Sequence, residues 1–379
     1  MSSLLHPVRY RPRKFEGQRI AIAGLFKTRC GLRRGAELLV RDFERRFPEV
    51  IVVDLSEALH KPIDSTFPNL RKPHEIAAFG ITDLIIHVNP PEFMDSLNEF
   101  NPTALNSASI VGYWVWELPV LSNEWHECAK YCDALWAPSP FVAKTLLLEI
   151  PGYAGEIKVV PYAVERDPMR RFSDSEKLAV RAAHHLDNDQ FVAGYSFAFS
   201  SNYARKNPTA AIDAFRLAFP EADRSNVLLI RCLDIKPHNE RLFKHLISYA
   251  GGDDRIRIID ADQHHFPIEQ FLACLNVFLA LFRSEGYGLN LIEAAQVGLT
   301  VIATGWSIGP DIAAQPEVRT VGYRLVVPLD PQHAYEKFDG GLWAEPDSSQ
   351  AAKMLQQLKA SWDRTKRYSK SMDDDGGPN

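Results

Sequence analysis

The sequence predicts an α/β protein made of two doubly wound, Rossmann-like domains. Three observations predict it. Short apolar runs alternate with amphipathic helical stretches, the pattern of parallel sheets covered by helices. Two rounds of about five strands are separated by a charged stretch and resume after residue 190. The chain has 379 residues, which suits two domains of roughly 150 residues each.

Taken in order, an arm over 1–14 precedes a first domain over 15–165. Its strands are expected at 19–24, 50–54, 82–89, 109–116, 134–138 and 157–161, all short and rich in branched apolar residues. Helical stretches lie between them, at 35–47 and 123–132 for example. Residues 166–190 are charged and poor in branched apolar side chains, and are read as a linker. The second domain spans 191–346, with strands at 191–197, 227–231, 256–259, 277–282 and 300–303. A closing helix over 347–370 has Asp347 as N-cap and an inner stripe of Ala351, Met354, Leu355 and Leu358. The acidic, glycine-bearing tail 371–379 is expected to be disordered.

Composition narrows the function. There are 43 Lys and Arg against 48 Asp and Glu, a net charge of −5, which argues against a nucleic-acid partner. No run of about 18 apolar residues suggests a membrane span. The N-terminal residues lack the apolar stretch of a secretory signal. Five scattered cysteines show no zinc spacing, so a reduced, cytoplasmic protein is expected.

Ligands of doubly wound domains bind beyond the carboxyl ends of the strands, so the residues just after each strand matter most. The strongest signal is Phe282-Arg283-Ser284-Glu285-Gly286-Tyr287-Gly288-Leu289-Asn290-Leu291-Ile292-Glu293. A buried strand ends, a glycine loop follows, and a helix starts near Gly288. Glu285 and Glu293 then bracket a helix N-terminus, whose free N–H groups attract anions. Gly286 and Gly288 are read as letting a ligand approach the backbone. One carboxylate would hold a sugar hydroxyl and the other a ribose, with a diphosphate between them. The plain alternative is a glycine turn with a solvated glutamate.

The second signal is Ser200-Ser201-Asn202-Tyr203-Ala204-Arg205-Lys206-Asn207-Pro208. Asn207 is read as the N-cap of a helix with Pro208 in its first turn. Arg205 and Lys206 would then oppose the helix dipole, at roughly 0.3–1 kcal/mol each, unless an anion is shared between them. The alternative is a solvated basic turn. Arg33 and Arg34 raise the same question at the start of the helix after the first strand.

These features resemble retaining glycosyltransferases of family 4, which have the GT-B fold, over about 19–358. The similarity extends to Val159-Val160-Pro161-Tyr162-Ala163-Val164 before the linker. Gly112-Tyr113-Trp114-Val115-Trp116-Glu117-Leu118-Pro119, with Trp136-Ala137-Pro138-Ser139 and Trp343-Ala344-Glu345-Pro346-Asp347, resembles a bacterial subgroup. That subgroup builds O-antigen chains or exopolysaccharides, many of its members from GDP-mannose or related sugars. The resemblance implies that Lys206 binds the diphosphate, Glu285 the transferred sugar and Glu293 the ribose. It implies that the backbone over Gly286, Tyr287, Gly288 and Leu289 cradles phosphate and sugar. Ser200 stands where many members have arginine, with Arg205 as a substitute. The family histidine on the 109–116 strand is absent, which leaves Trp116 or Glu117 to line the sugar pocket. Gly31 matches the family's glycine loop after the first strand. His87, at the end of its strand, is read either as a cleft contact or as a core histidine.

The resulting expectation is a retaining glycosyltransferase acting without metal or other cofactor. Its partners would be a nucleotide sugar and a glycan or lipid-linked acceptor. The basic residues Arg9, Arg11, Arg13 and Lys14 are either a peripheral contact with the inner face of the cytoplasmic membrane or a solvated arm. Two rivals stand beside it. Asp260-Ala261-Asp262 matches the Asp-x-Asp of metal-dependent sugar transferases. A non-catalytic two-lobed binding protein would share the fold. A nicotinamide dehydrogenase is disfavoured, because Gly24-Leu25-Phe26-Lys27-Thr28-Arg29 is not a Gly-x-Gly-x-x-Gly turn.

Overall fold

The computed structural model describes residues 19–166, 168–235, 238–335 and 338–374. The basic residues of the arm lie outside the described residues. The first sheet holds β1 (Ile20–Gly24), β2 (Val50–Asp54), β3 (Asp83–His87), β4 (Ser109–Tyr113), β5 (Ala134–Ala137) and β6 (Glu156–Val159). All pairs are parallel, in the order β2-β1-β3-β4-β5-β6. Residues of β1 alternate between two cores. Ile20 and Ile22 join the one that continues into the second domain, and Ala21 and Ala23 join the other. Both faces are therefore covered, which is why these strands read as continuous apolar runs.

The second sheet holds β7 (Phe191–Ala198), β8 (Asn226–Leu233), β9 (Ile256–Asp260), β10 (Val277–Ala280), β11 (Thr300–Thr304) and β12 (Val318–Val321). Its order is β12-β11-β10-β7-β8-β9, again all parallel. The chain thus runs outward from β7 to β9, then returns to the other side of β7 with β10. Strand order reverses between β7 and β10, and a crevice opens beyond their ends.

The first sheet has the six strands expected, and the second has six rather than five. Strand β12 carries exposed Arg319 and Thr320, so it lacks the apolar run that marks the others. A further hairpin was not foreseen: β13 (Tyr323–Val326) pairs antiparallel with β14 (Trp343–Pro346). It docks on the exit of β10 through Ala344 N to Arg283 O at 2.9 Å and Arg283 Nε to Glu345 Oε2 at 2.7 Å.

The segment read as a linker holds a helix, Asp174–Ala183, with a capping box between Ser173 and Glu176. Buried Arg181 ties this helix to the carbonyls of Cys274, Asp187 and Gln190. Charge in this stretch therefore marks caps and a buried arginine as well as solvent exposure. The closing helix spans Ser348–Asp374, so it includes the first residues of the expected tail. Ala351 and Leu355 are fully buried, and Asp347 Oδ1 accepts from Gln350 N at 2.9 Å. All five cysteines are free thiols. Among the described residues no helix is long and apolar enough to cross a membrane.

Candidate active site

Lys206 follows β7 and Glu285 follows β10, the two strands that flank the reversal in the second sheet. The turn after β7 is built by two asparagines at positive φ. Asn202, at φ 72°, caps a one-turn helix, Tyr203–Lys206, by accepting from Arg205 N at 2.9 Å. Asn207, at φ 51°, ends that turn and starts the helix Pro208–Ala218 without a side-chain cap. Asn207 thus occupies the expected position but caps by backbone conformation. Lys206 lies at the C-terminal end of one helix as well as beside the start of the next. The expected conflict with a helix dipole is therefore smaller than the sequence implied.

Four charged side chains meet in this crevice. Lys206 Nζ is paired with Glu285 Oε1. Arg205 lies 3.4 Å from Glu285 and 3.4 Å from Glu117, which comes from the first domain. Arg205 also donates to Ser284 O at 2.9 Å and Ser201 O at 2.6 Å, and its Nε has no partner. Buried Arg205 is therefore an internal brace between the two acids. Two cations face two anions, so the buried cluster is neutral as a whole.

Burial lifts the Glu285 carboxyl, but Lys206 and Arg205 outweigh it and leave it below its ordinary value. Burial also pushes Lys206 down, against the pull of Glu285. With Lys206 and Arg205 both beside Glu285, the ionised pair is the state that fits the geometry. Burial would lower Arg205, yet Glu117 and Glu285 hold it up. Glu117 is raised, chiefly by burial, with Arg205 in opposition.

The two glycines of the loop serve different purposes. Gly288, at φ 93°, is the N-cap of the helix Leu289–Gln296 and needs glycine for its backbone. Gly286 does not make room for a ligand. A Cβ there would lie 2.6 Å from Val115 Cγ1 and 3.2 Å from Trp116 O, so its bareness lets the two domains touch. The same seam holds Ser139 Oγ donating to Gly286 O at 2.6 Å and Ser284 Oγ donating to Glu117 O. Tyr287 OH donates to Tyr162 O at 3.0 Å, at the hinge. Leu289 opens the helix and packs against the shared core. Ser200 is exposed and donates to Asp234, so it makes no contact with Lys206.

Glu293 is buried in that helix and meets Arg34 of the first domain, Nε to Oε1 at 3.2 Å. Arg34 stands in the first turn of the helix Gly31–Glu44, which starts earlier than the sequence suggested. Cys30 Sγ caps it, accepting from Arg33 N, and Arg33 is paired with Glu37 at 2.7 Å. Gly31 is exposed, with open space where a Cβ would stand.

His87 is fully buried. Its Nε2 meets Tyr162 OH at 2.8 Å and its ring stacks on Tyr113 at 4.6 Å. Burial lowers it to about 4, so it is a neutral core histidine. Trp116 is half-buried against Trp125, Tyr335 and Phe338, with Nε1 donating to Val120 O at 2.9 Å. Ser284, Ser307 and Tyr335 also build the site and were missed. Ser307 Oγ accepts from Glu285 N at 2.8 Å, a partnership with no local sequence signal.

The Asp-x-Asp acids are engaged within the protein. Asp262 pairs with Arg29 at 3.2 Å and accepts from Asp234 N at 2.9 Å. Asp260 Oδ1 accepts from the backbone of Asp262 and Gln263. Among the described residues no cluster of three or more His, Cys, Asp or Glu is placed to hold a metal ion. A cavity of about 720 Å³ opens at the hinge between Phe47, Tyr162, Tyr287 and Asp311. Lys206, Glu285 and Glu293 do not line it, so the charge cluster, not this cavity, defines the candidate site.

Solved structures show the same fold. HepE of Anabaena, determined with UDP and glucose, is 14% identical, with a TM-score of 0.56 over 93% of this chain and 100% of that one. A glycosyltransferase of Rickettsia africae is 13% identical, with a TM-score of 0.59 over 91% and 89%. WaaG, a glycosyltransferase involved in lipopolysaccharide biosynthesis, is 14% identical, with a TM-score of 0.58 over 89% and 90%. No protein-family model and no curated protein sequence matches the chain. The fold is GT-B: two Rossmann-like domains that face each other across a cleft.

Proposed function

We propose that the protein is a glycosyltransferase that moves a sugar from a nucleotide diphosphate to a glycan or lipid-linked acceptor. One observation carries this reading. Lys206 and Glu285 stand together at the strand reversal of a GT-B second domain, beside a helix that starts at Gly288. A diphosphate needs cations and free N–H groups, and a transferred sugar needs a hydroxyl acceptor. The crevice offers all three at one place.

In this reading Glu285 holds the transferred sugar and Glu293 the ribose. Lys206 leaves Glu285 for the diphosphate and stabilises the charge that grows on it as the glycosidic bond breaks. Arg205 braces Glu285 and Glu117 and keeps both near the reacting centre. The backbone N–H groups from Tyr287 to Leu289, at the start of the helix, face the phosphate and sugar, and the first domain takes the acceptor. The positive field is supplied by side chains and a helix end, so no metal is required. We place the reaction in the retaining class. Glu285 is held by two cations, which suits sugar binding better than nucleophilic attack, and same-face attack with proton uptake by the departing phosphate needs no protein nucleophile. The sequence likeness favours a GDP-sugar such as GDP-mannose and a role in cell-surface polysaccharide synthesis at the cytoplasmic membrane face.

The test is turnover on a panel of GDP-, UDP- and ADP-sugars with lipid-linked acceptors, followed by nuclear magnetic resonance of the product anomer. Release of a nucleoside diphosphate with the donor's anomeric configuration kept is the expected result. Consumption of no donor would refute the transferase reading, and an inverted product would refute retention alone.

A further inference from the structure

Arg34 and Glu293 connect the two domains at the inner edge of the crevice, Nε to Oε1 at 3.2 Å. Arg34 lies in the first turn of a 14-residue helix, where a cation opposes the positive helix end unless an anion is near. Its neighbour Arg33 finds that anion within its own helix, in Glu37. Arg34 takes one from the other domain. The Glu293 side chain is 6% exposed, so its charge is largely cut off from water and needs a cation beside it. Arginine suits this use, since its guanidinium stays charged and its N–H groups point in fixed directions.

We propose that Arg34 is a positioning residue for nucleoside recognition: it fixes Glu293 as an ionised, oriented acceptor for the vicinal diol of a ribose. This rests on the assignment of Glu293 under the proposed function. A carboxylate oxygen has two lone pairs, so one held by arginine still accepts from a hydroxyl. The pair forms only when the domains are closed, because the two residues belong to different domains. Ribose recognition is thereby tied to closure, and an open protein would hold the nucleotide by its phosphates alone.

The experiment measures dissociation constants by calorimetry for UDP, GDP and ADP and for their 2′,3′-dideoxy counterparts. Wild type, Arg34→Gln, Arg34→Lys, Glu293→Gln and the Arg34→Gln/Glu293→Gln double variant are compared, each checked by a melting curve. Wild type is expected to prefer the ribonucleotide by about tenfold or more, the worth of a charge-assisted hydrogen bond. Arg34→Gln should weaken ribonucleotide binding by about tenfold and leave the dideoxy nucleotide unchanged. Arg34→Lys should restore part of the preference, and Arg34→Gln should add nothing once Glu293 is already Gln. Equal weakening toward both nucleotides would make Arg34 a diphosphate ligand and overturn the proposal. Tighter binding, or no change in the preference, would overturn it as well. Wild type that binds none of the nucleotides would sink the proposed function and this inference together. Normal wild-type binding with an unaltered preference in Arg34→Gln would sink this inference alone.

Discussion

The Lys206 ammonium and the Glu285 carboxylate form a buried ion pair although 79 residues separate them in the chain. They meet because β7 and β10 are adjacent at the point where the second sheet reverses its order. Arg205 braces the same carboxylate from a second side and reaches Glu117 of the first domain.

Lys206→Ala should lower kcat of the proposed reaction by about 10²–10³, the usual cost of one lost donor to a developing charge. The empty protein should also lose about 2 kcal/mol. That is less than the roughly 3–5 kcal/mol of a broken buried pair, since Arg205 still faces Glu285. Melting curves of Lys206→Ala and of Lys206→Ala/Glu285→Gln check this. The double variant should recover part of the loss, and no recovery would mean that Lys206 acts by packing alone.

Gly286→Ala and Gly288→Ala should fail in different ways. Alanine at 286 would press on Val115 and Trp116 across the domain seam, so turnover should drop while the melting temperature moves little. Alanine at 288 would sit at φ 93°, at a cost of about 1–3 kcal/mol of backbone strain. Its melting temperature should fall clearly. Equal melting losses in both variants would refute the seam reading of Gly286.

Stability should fall as pH drops from about 6.5 to about 4 in a way that depends on His87. Its folded value is lowered to about 4, so the unfolded chain binds more protons throughout that window. The stability is fully present above 6.5 and lost on acidification, by about 3 kcal/mol at 1.36 kcal/mol per unit. His87→Gln, which keeps a polar partner near Tyr162, should flatten this part of the melting profile relative to wild type. An unchanged slope would show that carboxylates account for all of it.

Transfer should survive chelation with EDTA. Lys206 and the helix end at Gly288 supply the positive field of the proposed mechanism, and Asp262 is already paired with Arg29. Loss of turnover in EDTA, restored by manganese or magnesium, would revive Asp260 and Asp262 as metal ligands.

The sequence by itself determined the two parallel sheets. Buried parallel strands must be apolar on both faces, so β1, β3, β7 and β10 announce themselves as short apolar runs. It also singled out Lys206, as a cation just before a helix start, and Glu285 and Glu293, as carboxylates that bracket a glycine turn and a helix N-terminus. Strands β12 and β13 escaped notice, since they are exposed, carry polar residues and have no apolar run, and β14 is a buried strand of only four residues. Tertiary structure alone decided which partners these residues meet. Strand order set Lys206 beside Glu285, and domain closure set Arg34 beside Glu293 and Gly286 against Val115. It also buried Arg205 as a brace and hid His87 behind Tyr162. Periodicity reports only how a residue's own segment is covered. Contacts between segments far apart in the chain depend on sheet order and domain closure, which no local pattern encodes.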